Sequence, residues 1–136
     1  MSIENFETLR AAEISAAVRA GEVAPAELVR SSFDRARTIG AGPDALNIFL
    51  HADEVASVEE AESMLERVQG AADIGILAGV PVAVKDNIAT LGLPTTCGSR
   101  ILAGYSSPFE ATAITRLRAN GAIVVAKTNM SNRLSQ

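Results

Sequence analysis

The chain has no tryptophan, one tyrosine, four phenylalanines, one cysteine and one histidine. Each scarcity excludes something. With aromatics at 4%, the core has to be built from alanine, valine, isoleucine and leucine. A lone cysteine, Cys97, has no partner for an internal disulfide, which suits a reducing compartment. A lone histidine, with so few cysteines, leaves no zinc-type spacing, so no structural metal is expected. Basic residues are scattered, and the net charge is 12 − 16 = −4. A stripe that would neutralise phosphates is therefore missing, and direct nucleic-acid contact is not expected. The longest apolar runs are five residues, far short of a membrane span. The opening residues carry Glu4 and Glu7 and no apolar signal core, so a cytoplasmic location is expected. There is no G-x-G-x-x-G and no Walker A loop, hence no dinucleotide or nucleoside triphosphate is expected on this segment.

What is present reads as a globular α/β chain. At 136 residues and 48% hydrophobic content, it is long enough for one core. Leu9, Ile14 and Val18 recur at helical spacing over residues 7–20, and Gly21 stops the run. Pro25 fits the first turn of a second helix, with Glu27 favouring the positive end of its dipole. That helix should end at residues 40–43. Residues 47–51 suit a short strand, residues 54–69 a third helix, and residues 70–75 a turn.

The second half changes character. Residues 80–84 form an apolar run that predicts a strand buried on both faces. Residues 88–107 are a long connection. Ser107, Pro108 and Glu110 have the spacing of a capping box opening a helix that runs through Ile114 and Leu117 to Asn120 and Gly121. Residues 122–126 predict another buried strand. Strand, helix, strand implies a right-handed parallel crossover. The fold class is thus α/β, with N-terminal helices followed by the start of a mixed or parallel sheet covered by helices. The chain divides into a mainly helical part, 1–70, a strand–loop–helix–strand part, 76–130, and an atypical tail, 131–136.

Two stretches share one pattern: a glycine, an apolar run, then a lysine with an asparagine two places on. They are residues 79–87, with Lys85, Asp86 and Asn87, and residues 121–129, with Lys127, Thr128 and Asn129. In open parallel sheets, chemistry gathers at the carboxyl ends of the strands, where both lysines should lie. A lysine at the mouth of a dry core can be made a base. That requires its ammonium to be destabilised by about 3–5 kcal/mol relative to a solvated one. The plainer reading is that each lysine marks where an apolar strand meets water. His51 has no carboxylate partner at helical spacing and reads as structural or exposed. Cys97 reads as a small half-buried thiol rather than a nucleophile. Gly98 and Ser99 suit either a turn or a pocket wall.

The ordered set of motifs narrows this. Residues 79–88 read Gly-Val-Pro-Val-Ala-Val-Lys-Asp-Asn-Ile, residues 95–102 read Thr-Thr-Cys-Gly-Ser-Arg-Ile-Leu, and Ala111, Thr112 and residues 121–130 follow. Together with residues 15–22 and 25–28 they resemble the amidase signature family, most closely its amidotransferase A-type branch. The resemblance implies the N-terminal portion of that fold over residues 1–136. It implies amide hydrolysis by a Ser–cis-Ser–Lys triad in which Lys85 matches the lysine. The substrate implied is a small amide, glutamine in the amidotransferase branch, with ammonia delivered for transamidation of misacylated Glu-tRNA(Gln) or Asp-tRNA(Asn). Other amidotransferase subunits are the implied partners, and ATP and magnesium belong to one of those partners rather than to this chain. The family's two serines lie in a Gly/Ser-rich signature well downstream of the position matching Met130. Ser131 and Ser135 do not stand in for them, because residues 132–134 depart from the family pattern. The segment alone is therefore expected to be inactive. The alternatives are a general amidase acting on other carboxamides and a non-catalytic module that docks on partner subunits.

Overall fold

The computed structural model describes residues 6, 8–41, 45–70 and 73–130. Among the described residues, four α-helices and three strands occur in the order α1 (Ala11–Arg19), α2 (Pro25–Ile39), β1 (Phe49–Ala52), α3 (Glu54–Gln69), β2 (Pro81–Lys85), α4 (Thr112–Ala119) and β3 (Ile123–Thr128). The sheet order is β1-β3-β2. β2 runs parallel to β3, as the crossover requires, and β1 runs antiparallel on the other side. The sheet is therefore mixed.

Local chemistry explains most of the element ends. Pro25 occupies the first turn of α2, where its missing N–H costs nothing. Asp53 caps α3 by accepting the Ala56 amide at 2.9 Å, and Gly70 ends it, so the third helix has its expected bounds. The first helix starts later than expected. Arg10 is extended at the cap, and its amide donates to the Glu13 carboxylate at 2.8 Å. Leu9 lies before the helix and packs on the core from outside it. Residue 7 of that helix, and the 42–44, 71–72 and 131–136 portions of the expected turns and tail, lie outside the described residues.

The capping box expected at Ser107 does not form. Ser107 Oγ instead closes a tight turn, accepting the Phe109 amide at 3.3 Å and donating to the Phe109 carbonyl at 2.7 Å. Glu110 faces elsewhere, accepting from the Leu91 amide and from Arg118 Nε, each at 3.3 Å. α4 consequently begins at Thr112, four residues later than Pro108 suggests.

β3 is the strand buried on both faces. Ile123, Val125 and Ala126 pack under α2 and α3 with Val29, Phe33, Ala61 and Met64. Val124 packs on the other side with Val84 and Ile114 of α4. β2 corrects the expectation for residues 80–84. It is an edge strand of this sheet, and only Val84 of its five residues is fully buried, while Ala83 and Lys85 are exposed. An apolar run does not reveal which strand is central, because small apolar residues suit either place.

A backbone-to-backbone junction fixes where the two parallel strands begin. Leu77 N donates to Asn120 O at 2.8 Å and Gly79 N to Gly121 O at 2.9 Å. Gly121 has φ +88°, and a Cβ there would lie 2.2 Å from the Ile74 carbonyl oxygen. Gly121→Ala should therefore destabilise the fold by more than about 2 kcal/mol. Gly92→Ala, at φ +82° but in open space, should cost only the left-handed strain of about 1–2 kcal/mol. Urea unfolding of the two variants checks this, and equal losses would contradict the close approach.

Candidate functional site

The carboxyl ends of β2 and β3 bring Lys85, Asp86, Lys127 and the connection after β2 into one neighbourhood. The register of the two strands decides what each lysine does. At the start of the pair, Pro81 aligns with Ile123 and Val82 with Val124. Between Val82 and Ala83 the register slips by one residue, so that Val84 aligns with Lys127 and Lys85 with Thr128. Without the slip the repeated motifs would put Lys85 directly beside Lys127, and like charges directly opposite are destabilising. With it, Lys127 shares a face with Val84 and Lys85 projects from the other.

Among the described residues Lys127 is the largest fully buried side chain. Its ammonium donates to the carbonyls of Ile88 at 2.8 Å and Pro94 at 3.2 Å and to Thr95 Oγ1 at 2.9 Å. All three of its N–H bonds are thus engaged. The Asp86 carboxylate, also without solvent exposure, lies 3.7 Å away as the counter-charge. Asp86 is itself saturated. Its carboxylate accepts from the Thr96 amide at 3.2 Å, from the Thr96 hydroxyl and from the Gly98 amide at 3.1 Å. Amides 96 and 98 converge on it because Cys97 and Gly98 both take left-handed conformations, at φ 54° and 65°. Cys97 N also donates to the Asp86 carbonyl at 3.3 Å.

Burial pushes the Lys127 ammonium below its ordinary value, and the attraction of Asp86 only partly offsets this. For Asp86, burial pushes upward. The Thr96 hydroxyl, the Gly98 and Thr96 amides and the Lys127 charge outweigh it and hold the carboxyl below its ordinary value of 3.8.

The dry strand end expected at Lys85 is thus found one strand over, around Lys127. Lys127 does not mark where an apolar strand meets water. Its three donors are all turned inward. Lys85 has the reverse character: its side chain is exposed, and among the described residues its ammonium has no hydrogen-bond or ion-pair partner. Cys97 is exposed rather than half-buried. Gly98 serves the turn around Asp86, and Ser99 caps the 3-10 turn at Arg100–Leu102 by accepting the Ile101 amide at 3.3 Å. His51 is half-buried in β1, opposite the Lys127 backbone. Ser131 and Ser135 lie outside the described residues. The roles of Asp86, Thr95 and Thr96 have almost no signal in the sequence. Asp86 following Lys85 is the only one, since the loop closure that unites them is non-local.

A shallow cleft of about 390 Å³ opens beside the end of β3, lined by Leu46, Asn47, Ile48, Thr128, Asn129 and Met130. A second, apolar cleft of about 310 Å³ between α2 and β1 has Arg37 as its charged residue, paired with Glu54 and Asp34, and offers no reactive group. Among the described residues no group of three His, Cys, Asp or Glu side chains could hold a metal ion. No described helix is long and apolar enough to cross a membrane.

The chain is similar to several known proteins. The model of the amidase family matches residues 27–135. The A-type subunit of glutamyl-tRNA(Gln) amidotransferase from Salinispora arenicola is 44% identical over 123 residues, which is 90% of this chain and 24% of that protein. Its counterpart from Symbiobacterium thermophilum is 45% identical over 123 residues, 90% of this chain and 25% of its own length. Among solved structures, the peptide amidase of Stenotrophomonas maltophilia superposes with a TM-score of 0.85 at 29% identity, covering 93% of this chain and 26% of that one. The chain spans about a quarter of the length of these relatives.

Removing one member of the buried pair leaves the other uncompensated. Lys127→Met should therefore cost about 3–5 kcal/mol, and Lys127→Met with Asp86→Asn less than the sum of the single losses. The sign of the pH effect follows from Asp86. Its native value lies below its unfolded one, so its contribution is complete above about 3.8 and disappears as pH falls through the native value. Lys127 acts on the alkaline side, where the cost of burying its charge is relieved as pH rises through its native value toward 10.5. Unfolding free energies measured between about pH 6 and pH 2.5 should fall less steeply in Asp86→Asn than in the unaltered chain; identical slopes would contradict the assignment.

Proposed function

The chain belongs to the amidase family, and from that premise we propose that it forms the N-terminal part of an amide hydrolase in which Lys85 is the general base. The observation that carries this reading is the division of labour between the two lysines. Lys127 is locked into the fold by three hydrogen bonds and a counter-charge. Lys85, at the carboxyl end of the neighbouring parallel strand, is free to meet a substrate.

The chemistry follows from a neutral amine at that position. Lys85 takes a proton relayed through a serine in a cis peptide, and the relay activates a second serine to attack the amide carbonyl. The tetrahedral intermediate collapses, the leaving nitrogen takes a proton and departs as ammonia, and water then cleaves the acyl-enzyme. Both serines belong to sequence beyond this chain. The described residues leave Lys85 exposed, so the exclusion of water from the site is also assigned to that remaining sequence.

Glutamine is the substrate we favour, because the relatives from Salinispora arenicola and Symbiobacterium thermophilum are glutamyl-tRNA(Gln) amidotransferase subunits. On this reading the released ammonia passes to a partner protein that transamidates misacylated tRNA. The likeness to a peptide amidase supports a second reading, hydrolysis of other carboxamides without such partners.

The isolated 136-residue chain should release no ammonia from glutamine. In the intact enzyme that contains it, Lys85→Ala should lower kcat for amide hydrolysis by roughly 1000-fold or more, and Lys85→Arg should not restore it because a guanidinium stays charged. Ammonia release measured on glutamine and on a panel of simple carboxamides checks both the role and the substrate. A Lys85→Ala enzyme with undiminished turnover would refute the assignment.

A further inference from the structure

We propose that Asp86 and Lys127 are positioning residues for Lys85: the buried pair holds the carboxyl end of β2 and the 95–98 strap as one rigid rim from which Lys85 projects. The proposal rests on the reading of Lys85 as the base.

Asp86 directly follows Lys85, and every hydrogen-bonding group it has is tied down. Its amide donates to the Thr128 carbonyl at 3.1 Å, its carbonyl accepts from Cys97, and its carboxylate accepts from Thr96 and Gly98. The Lys85 carbonyl accepts the Ile88 amide at 2.9 Å, closing a turn immediately after the strand. Lys127 grips the far side of that turn through Ile88 and the approach to the strap through Pro94 and Thr95. The backbone around Lys85 is therefore fixed from two directions, while its side chain stays unencumbered.

Stability alone does not require this arrangement. A buried ion pair is commonly no more stabilising than well-packed apolar residues of the same volume. What it adds is direction. Two ionised groups with saturated hydrogen bonds admit one loop conformation, whereas an apolar plug admits several. The left-handed Cys97 points the same way. A non-glycine residue in that region persists only where its surroundings over-determine it. Here the flanking amides of Thr96 and Gly98 are drawn together by Asp86. A base must be held within about half an ångström of its productive position, and fixed neighbours provide that.

The test uses the intact enzyme and glutamine as the probe, with Thr96→Val and Asp86→Asn. Thr96→Val removes only the hydroxyl that aims the Asp86 carboxylate, and it remains informative where Asp86→Asn fails to fold. The expected result for Thr96→Val is a fall in kcat of roughly 10- to 100-fold with KM changed by less than about threefold. In a Lys85→Ala background the same substitution should bring no further loss, because its effect is exercised through Lys85. A Thr96→Val enzyme with normal kcat, or an equal further loss in the Lys85→Ala background, overturns the positioning role while leaving Lys85 as the base. Undiminished turnover in Lys85→Ala alone overturns both readings.

Discussion

A lysine ammonium with no access to water must find all of its partners inside the protein, and the second half of this chain is arranged around that demand. Lys127 is placed at the end of the central strand by the packing of Ile123, Val125 and Ala126 beneath α2 and α3. Once it is there, its three donors and its charge need acceptors and a counter-ion, since an unpaired buried charge costs several kcal/mol. The connection after β2 supplies them. It wraps over the strand end, offering the carbonyls of Ile88 and Pro94 and the hydroxyl of Thr95, while Asp86 brings the charge. The long loop between β2 and α4 is therefore held by electrostatic satisfaction as well as by the packing of Ile88 and Leu93 on Val84, Val124 and Ile114. Its apolar side chains Ile101, Tyr105 and Phe109 are exposed.

The one-residue register slip between β2 and β3 links this demand to the placement of Lys85. It turns two copies of one motif toward opposite faces of the sheet. The lysine beneath the loop becomes structural, and the lysine on the other face becomes available. The junction of residues 74–79 with Asn120 and Gly121 sets the register at the amino ends of the strands. The slip then changes it before the carboxyl ends are reached. A strand pair can thus carry two lysines at matching places in the sequence without placing their charges side by side.

Much of the fold is legible in the sequence because its signals are local. The Pro25 start of α2, the Asp53 cap and Gly70 stop of α3, and the strand–helix–strand order all depend on residues within a few positions of one another. The departures are equally instructive. Ser107 and Glu110 have the spacing of a capping box, yet each finds another partner, Ser107 within its own turn and Glu110 across space at Leu91 and Arg118. The apolar run at residues 80–84 suggests a doubly buried strand, but it is an edge strand with Ala83 and Lys85 in the open. Residue types alone do not distinguish an edge from a centre, because that depends on where the other strands lie.

The sequence by itself determined the family, the α/β class and the identity of Lys85 as the residue to watch, since motif order and residue chemistry survive without coordinates. The tertiary structure alone decided which lysine is dry and which is free. That outcome turns on a single slip in strand register and on a loop closing across some ten to forty residues to satisfy one buried charge. Both arise from contacts between distant parts of the chain, which no local pattern records.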